Sequence, residues 1–270
     1  MWQRGMKAKS TLTSKWIKTK VLLRSPEIAV LIPETVKLNR DSAKRMLDKY
    51  GMVYVKPEVG TYGNGVMRVE RRADSSGVTY RYQQGTKART FSTFEAFYQS
   101  LNAATRGRRY LIQRGINLLK VGGRRFDIRV MVQLSPKGKW ETTGLIGRVA
   151  AEGKIVTNYH AGGKPTAVEK LLSPHMSSAQ QEIVMKRLKR LGGDIGRFLQ
   201  RHYPGFKQLG VDIGLDHMLT PWIIEVNTNP DPYIFNQLSN KSMYRKVMAY
   251  RRAQKGTSSR SRTLGVKRRK

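Results

Sequence analysis

The chain has 270 residues and a formal net charge of +34, because 52 lysines and arginines outnumber 18 aspartates and glutamates. It has no cysteine, which excludes disulfides and thiolate metal sites within it. No long apolar run follows the basic start, so neither a signal peptide nor a membrane-spanning helix is predicted. We therefore expect a cytoplasmic protein built as one large domain or two lobes.

The first half of the chain predicts a basic entry followed by a small lobe of mixed helix and strand. Residues 1–40 form a basic segment with a helix-like pattern, and residues 42–50 predict a helix that ends at Gly51. Residues 52–113 alternate short strands with one helix near residues 93–105. This composition is typical of a small α+β lid lobe.

The second half predicts a larger lobe and a basic end. Residues 114–240 contain strands and a long helix over residues 177–203, and with the lid lobe they would complete one domain from residue 41 to 240. Residues 241–270 predict a basic helix that ends near Ala253, followed by a disordered tail of low hydrophobicity and like charge.

A strand that ends in lysine runs directly into a glycine-rich loop. Met52 to Pro57 is rich in β-branched residues and includes Lys56, and the loop Gly60-Thr61-Tyr62-Gly63-Asn64-Gly65 follows. Glycines let backbone N–H groups approach phosphate oxygens, and lysine adds a mobile positive charge. The pattern is not a Walker A motif, because no Gly-Lys-Ser/Thr follows. A flexible hairpin over a triphosphate and an ordinary turn between strands both fit it.

Two apolar strands near the end of the larger lobe bring three oxygen ligands together. Asp212 lies on the first strand, and Glu225 and Asn227 lie two residues apart on the second, hence on one face of it. Carboxylate and amide oxygens are the ligands that Mg²⁺ prefers, and its remaining positions commonly go to water and phosphate. The hairpin therefore predicts a magnesium site, although a surface hairpin with alternating polar residues also fits the pattern.

Four motifs in this order and rough spacing resemble the ATP-grasp ligases. The motifs are Lys56-Pro57 with its glycine loop, Phe126-Asp127-Ile128-Arg129-Val130, Thr157-Asn158-Tyr159-His160-Ala161-Gly162-Gly163, and the hairpin of Asp212, Glu225 and Asn227. Ile32-Pro33-Glu34-Thr35 and the loop most resemble the YheC/YheD type, which is associated with the spore coat. The central and C-terminal motifs are also similar to the RimK-type glutamate ligases. The resemblance covers residues 12–240.

The resemblance implies an α+β ATP-grasp fold of two lobes with nucleotide between them, lacking a full N-terminal pre-ATP-grasp domain. It also implies ATP and two Mg²⁺ ions as cofactors, and a role for each matched position. ATP phosphates would be bound by Lys15 and Lys56 and covered by the loop with Gly63, Asn64 and Gly65. The adenine hinge would consist of Gln113, Arg114, Gly115 and Ile116, and the nucleotide would also contact Asp127 and Asn158. Arg129 would contact the transferring phosphoryl group, and the metal would be held by Asp212, Glu225 and Asn227. Many relatives place an acidic residue in the hinge, where this chain has Gln113-Arg114-Gly115.

These assignments predict a carboxylate–amine ligase that works through an acyl phosphate, with Lys56 and Arg129 as catalytic residues and an unknown acid and amine as substrates. Arg129 could instead simply pair with Asp127. Without a full N-terminal domain, either the acceptor would bind an unusually open site, or another protein would supply the missing wall of that site.

The charge supports a different class of function. Residues 1–24 and 251–270 hold sixteen lysines and arginines and no acid, so a spore-associated or polyanion-binding scaffold is the alternative, with an acidic peptide or polymer as its partner. ATP-dependent phosphorylation without ligation is a third possibility.

Overall fold

The structure is a computed structural model that describes residues 12–75 and 77–266, with the backbone alone for residues 255–266. The helices in these ranges are α1 (Lys15–Leu22), α2 (Pro26–Ala29), α3 (Arg40–Tyr50), α4 (Phe94–Thr105), α5 (Val168–Leu172), α6 (Ser178–His202) and α7 (Ser242–Val266). The strands are β1 (Thr35–Lys37), β2 (Met52–Pro57), β3 (Met67–Asp74), β4 (Gly77–Gln84), β5 (Lys87–Phe91), β6 (Tyr110–Arg114), β7 (Lys120–Val121), β8 (Arg124–Leu134), β9 (Trp140–Val149), β10 (Lys164–Thr166), β11 (Gln208–Leu215) and β12 (Pro221–Asn227).

One antiparallel sheet, which we call the lid sheet, has the strand order β1-β6-β2-β3-β4-β5. Helices α3 and α4 pack on it, and their apolar faces meet the inward residues of the strands around Phe97 and Met46. Helix α3 begins with a capping box between Asn39 and Ser42 and ends at Gly51, whose φ of +67° suits glycine. The helix therefore ends at the residue that the sequence indicated.

The second antiparallel sheet, the core sheet, has the order β10-β9-β8-β11-β12, with β7 paired to β8. Alternation along β8 gives its two faces different surroundings. Phe126, Ile128 and Val130 belong to the main apolar core under α6. On the other face, Met131 packs with α7 through Val247. The residues of β8 that precede Met131 on this second face remain available for the cleft described below.

Residues 12–40, which the sequence set apart as a basic segment, contribute to both lobes. Val21, Leu22, Ile28 and Ile32 join the main core, and β1 pairs with β6 in the lid sheet. Helix α1 is thus built into the body of the molecule.

The last helix is longer than the sequence predicted. Helix α7 continues to Val266, past Ala253 and through residues 256–262, which were expected to be disordered. Extending an existing helix fixes one residue for each new hydrogen bond, whereas nucleation is costly, and no proline interrupts this segment. Among the helices of the described ranges, none is long and apolar enough to cross a membrane.

Candidate functional site

A cleft of about 570 Å³ is lined by residues of both sheets, a volume typical of cofactor pockets. Its wall carries a surplus of positive charge. The basic side chains are Lys15, Lys18, Lys56, Arg114, Arg125, Arg129, Arg148 and Arg251, and the acidic ones are Asp127, Asp212, Glu225 and Asp231. Such a wall attracts an anionic ligand, and it could neutralise a polyphosphate.

The core sheet supplies a row of buried ion pairs through its strand register. Arg148 lies opposite Asp127 across β9 and β8, and Arg129 lies opposite Asp212 across β8 and β11. Arg148 donates two hydrogen bonds to Asp127, with Nε–Oδ1 and Nη2–Oδ2 distances of 2.8 and 2.6 Å. The Nη2 atom of Arg148 also lies 2.9 Å from Oδ2 of Asp212. Thr157 donates to Asp127 at 2.7 Å. The row fixes these side chains before any ligand arrives.

Arg129 makes a bidentate pair with Asp212, with an Nη2–Oδ2 distance of 3.1 Å. Arg129 therefore does form an ion pair, but with Asp212 and not with Asp127, the partner that the sequence suggested as an alternative. Burial opposes ionisation of Asp212, but the charges of Arg129 and Arg148 outweigh it and lower the pKa of Asp212 to about 2. The pKa of Arg148 is raised despite its burial, because Asp127 and Asp212 both face it.

Three lysines approach this row from the other side. Lys56 donates to Oε1 of Gln113 at 2.9 Å and to the carbonyl of Ile224 at 3.0 Å. Burial, together with the charge of Lys15, lowers the pKa of Lys18 and of Lys56 to about 8, although Glu225 acts in the opposite direction. These ammonium groups lack enough nearby negative charge, which a bound phosphate would supply.

Helix α1 is fixed in place by the end of β2. The Ser14 hydroxyl accepts the N–H of Ile17 as the N-cap and donates to Glu58 at 2.6 Å, and the N–H of Lys15 donates to the carbonyl of Glu58 at 2.9 Å. Lys15 and Lys18 are three residues apart, so both lie on one face of α1. The anchored helix directs that face into the cleft.

The hinge residues lie at the end of β6, and part of their backbone is already used. The N–H of Arg114 donates to the carbonyl of Glu34 at 2.8 Å, and that of Gly115 to the carbonyl of Met52 at 2.9 Å. Gln113, Arg114 and Ile116 line the cleft, whereas Gly115 lies outside its wall. Reading of adenine by the hinge backbone therefore cannot use these two N–H groups without breaking their present bonds.

The glycine loop rests against the opposite lobe. Tyr62 contacts His160, with ring centroids 4.2 Å apart. Gly63 has a φ of +75°, and a Cβ there would lie 2.8 Å from Oδ1 of Asn158. Asn64 also lines the cleft, but Gly65 does not. The loop thus contacts the opposite lobe at a glycine with a left-handed backbone conformation, where a Cβ would require the Asn158 side chain to move.

The oxygen ligands predicted for magnesium are brought together as the sequence indicated. Asp212 and Glu225 are direct cross-strand neighbours, and a β-bulge follows Asp212. Asn227 lies two residues beyond Glu225, and its Oδ1 accepts the N–H of Asn229 at 2.9 Å. Lys15 lies 3.4 Å from Glu225. All three donors are hard oxygens on adjacent strands, which suits Mg²⁺, although both oxygens of Asp212 already contact arginines.

Within the part of the chain that the structure describes, no three His, Cys, Asp or Glu side chains cluster as a metal site. The magnesium interpretation therefore depends on the Asn227 amide as third protein donor.

Sequence reasoning missed four basic residues of the cleft: Lys18, Arg125, Arg148 and Arg251. Lys18 could have been found from its helical spacing to Lys15, and Arg125 from its alternation with Asp127 and Arg129. Arg148 and Arg251 reach the cleft only through strand register and helix packing, which no local pattern reveals.

The two sheets, the cleft between them and the acidic hairpin form an ATP-grasp fold. The chain belongs to the YheC/D-like ATP-grasp family, whose model matches residues 6–252. The predicted fold and the YheC/YheD resemblance are thereby confirmed, while the similarity to RimK-type ligases stays a prediction.

Two curated relatives and one solved structure are similar to the chain. The endospore coat-associated protein YheD of Bacillus subtilis is 26% identical over 231 residues, covering 84% of this chain and 50% of YheD. The endospore coat-associated protein YheC of the same organism is 24% identical over 220 residues, covering 81% of this chain and 60% of YheC. The chain thus spans about half the length of these relatives. The D-alanine-D-alanine ligase of Coxiella burnetii has 14% identity and a TM-score of 0.48, with 94% of this chain and 61% of that chain covered.

Proposed function

We propose that the protein is an ATP- and Mg²⁺-dependent ligase that joins a carboxylate to an amine through an acyl phosphate. The observation that carries the proposal is the convergence of Lys15, Lys18 and Lys56 on the hairpin of Asp212 and Glu225 within one basic cleft. A scaffold would gain nothing from burying Lys18 and Lys56, whose pKa is lowered, because buried charge without enough opposite charge nearby destabilises a fold. A nucleotide phosphate would supply that partner.

Each group has a distinct task in this mechanism. A carboxylate is a poor acyl donor, and phosphorylation gives it a good leaving group that an amine can displace. Phosphoryl transfer needs chiefly positioning and charge neutralisation. Asp212, Glu225 and Asn227 would hold Mg²⁺, which would supply neutralisation of phosphate charge. Lys15, Lys18 and Lys56 bind phosphate, and Arg129 and Arg148 hold Asp212 rigid beside Glu225.

The glycine loop completes this site. Closure of Tyr62 and Gly63 against residues 158–160 excludes water, which would hydrolyse an acyl phosphate. Arg129 is paired with Asp212, so we assign it a positioning role.

The test uses hydroxylamine, which traps an acyl phosphate as a hydroxamate. Purified protein is incubated with Mg-ATP and pooled amino acids, peptides and dicarboxylic acids, and ADP, phosphate and hydroxamate are measured. Glu225→Gln should abolish all three while Glu152→Gln, at an exposed acid outside the cleft, should match the parent. ADP without phosphate or hydroxamate would indicate phosphorylation instead. A parental rate for Glu225→Gln would refute the assignment of Glu225.

The charge favours a second candidate function, association with a polyanion. The relatives are named as endospore coat-associated proteins, and we propose an acidic spore-surface component as the partner that the basic ends would bind. Lys15, Lys18 and Arg251 of these ends line the cleft and belong to the ligase proposal, so the polyanion association is proposed for the other basic residues of the two ends.

A further inference from the structure

Contacts along β12 and the chain that follows it order the cleft from one end to the other. In chain order they are Arg114 over Trp222 at 4.9 Å, Lys56 to the carbonyl of Ile224 at 3.0 Å, Lys15 to Glu225 at 3.4 Å, His160 to Asp231 at 3.7 Å and Arg251 over Tyr233 at 5.8 Å. The hinge is thus at one end and the predicted phosphate site in the middle. Arg251 makes the last contact of this series, at the end that follows the predicted phosphate site in chain order.

Helix α7 brings Arg251 to this end because it packs on the same face of the core sheet as the cleft. Gln133 on β8 donates to the carbonyl of Val247 at 3.2 Å, and Gln254 donates to the carbonyl of Leu134 at 3.0 Å. Positions 247, 251 and 254 are spaced four and three residues apart, so they share one face of the helix. Arg251 therefore points from the packed face of α7 into the cleft wall.

The guanidinium of Arg251 is only partly satisfied. Its Nη1 is buried and has no hydrogen-bond partner among the described residues, and no carboxylate lies within ion-pair distance of it there. Asp231, the acidic residue that precedes Tyr233 in the cleft wall, instead lies 3.7 Å from His160. Stacking on Tyr233 contributes a cation–π contact but satisfies no N–H. A buried donor without an acceptor costs free energy, which a ligand acceptor would recover.

We infer that Arg251 binds a non-reacting carboxylate of the substrate. The inference rests on the proposed ligase function and narrows its substrate class to amino acids, peptides or dicarboxylic acids. A planar guanidinium donates two parallel hydrogen bonds to a carboxylate, a geometry that a neutral amide does not reproduce. The exposed rings of Tyr159 and Tyr233 provide apolar surface for the rest of such a substrate.

The same residue could act only as packing between α7 and the loop at Tyr233. Packing alone predicts a loss of stability on substitution with no change in preference between a charged and a neutral ligand. The two roles therefore differ in a binding measurement with a matched pair of ligands.

The experiment titrates glutarate and its uncharged diamide, glutaramide, into the protein by calorimetry, with and without Mg²⁺ and a non-hydrolysable ATP analogue. The variants are Arg251→Gln, Arg251→Lys, which keeps the charge but not the fork, and Arg252→Gln, an exposed arginine one position along the helix. We expect glutarate to bind the parent and Arg252→Gln alike. Arg251→Gln should bind glutarate about tenfold more weakly or worse, with Arg251→Lys between them, as expected for loss of a charge-assisted hydrogen bond.

Any of three results would overturn the inference. Arg251→Gln could bind glutarate as tightly as the parent does, the parent could bind glutarate and glutaramide with equal affinity, or the parent could fail to bind glutarate. Should Arg251→Gln fail to fold, Arg251→Lys decides by the same comparison. Failure of the ligase proposal has a different signature, because the ATP analogue would then not bind the parent in the same titrations. The series without nucleotide still tests Arg251 in that case.

Discussion

The contrast between Asp212 and Glu225 gives the sharpest test of the cleft, because the two acids are cross-strand neighbours with opposite surroundings. The Asp212 side chain is 7% exposed and contacts Arg129 and Arg148, whereas the Glu225 side chain is 29% exposed and faces Lys15 at 3.4 Å. Both should be required for turnover. Only Asp212 should be required for the stability of the fold.

The magnitude follows from the pKa. Lowering the pKa of Asp212 from 3.8 to about 2 corresponds to about 2–3 kcal/mol of folding free energy, at about 1.4 kcal/mol for each unit. Removing one member of a buried pair also leaves the other charges uncompensated, which costs about 3–5 kcal/mol in general. We therefore expect Asp212→Asn to lower the unfolding free energy by about 3 kcal/mol. Glu225→Gln, at a partly exposed pair, should change it by less than about 1 kcal/mol.

Urea unfolding followed by tryptophan fluorescence measures both variants, with ADP release measured in parallel. Because the folded pKa of Asp212 is below the unfolded value, its stabilisation is complete above about pH 4 and is lost as the pH falls towards 2. The difference in unfolding free energy between the parent and Asp212→Asn should thus fall by about half at pH 3. Equal stability of the parent and Asp212→Asn at neutral pH, or a difference that does not fall, would refute the ion-pair account.

Three further predictions concern the loop, the lysines and the tail. Gly63→Ala should weaken nucleotide binding about tenfold because its Cβ would meet Asn158. Gly138→Ala, at a position with the same φ of +75° and open space around it, should leave nucleotide affinity unchanged. Equal effects of the two substitutions on nucleotide affinity would argue against closure of the glycine loop over the nucleotide. The protein should take up protons when it binds nucleotide near pH 8.5, because the phosphate raises the lowered pKa of Lys18. Calorimetry in buffers of different ionisation enthalpy measures this proton uptake, which should be smaller in Lys18→Met. Identical uptake would contradict this role. Deleting residues 255–270, which hold seven lysines and arginines, should flatten the salt dependence of heparin binding and spare ATP affinity; unchanged salt slopes would exclude the tail from polyanion binding.

The sequence predicted the elements with strong local signals. Helix α6 begins where Ser177 and Gln180 form a capping box, and β11 and β12 pair as the apolar hairpin indicated. Thirteen of the fifteen predicted site residues line the cleft, and Gly65 and Gly115 do not. These positions were carried over from the resemblance to the ATP-grasp ligases, and their roles in binding nucleotide and metal stay predictions.

Partners across strands were beyond sequence reasoning. Arg129 pairs with Asp212, which is 83 positions away, and the carboxylate of Asp127 pairs with Arg148. Strand order and register decide both pairs, and a single sequence contains little information about either. The length of α7 was missed for another reason, because its composition alone resembles a solvated tail.

The contact of Lys15 with two different parts of the site has a consequence for the order of events during binding. Its ammonium donates to the carbonyl of Gly60, at the base of the glycine loop, at 2.8 Å and lies beside Glu225. A divalent cation that binds Glu225 repels this ammonium and weakens its hold on the loop, so metal occupancy and loop position are thermodynamically linked. By reciprocity, a loop held down on Lys15 lowers the affinity of Glu225 for metal. Free metal should therefore bind poorly on its own, and a metal ion that arrives already bound to phosphate avoids this penalty, because the phosphate gives the ammonium a new partner.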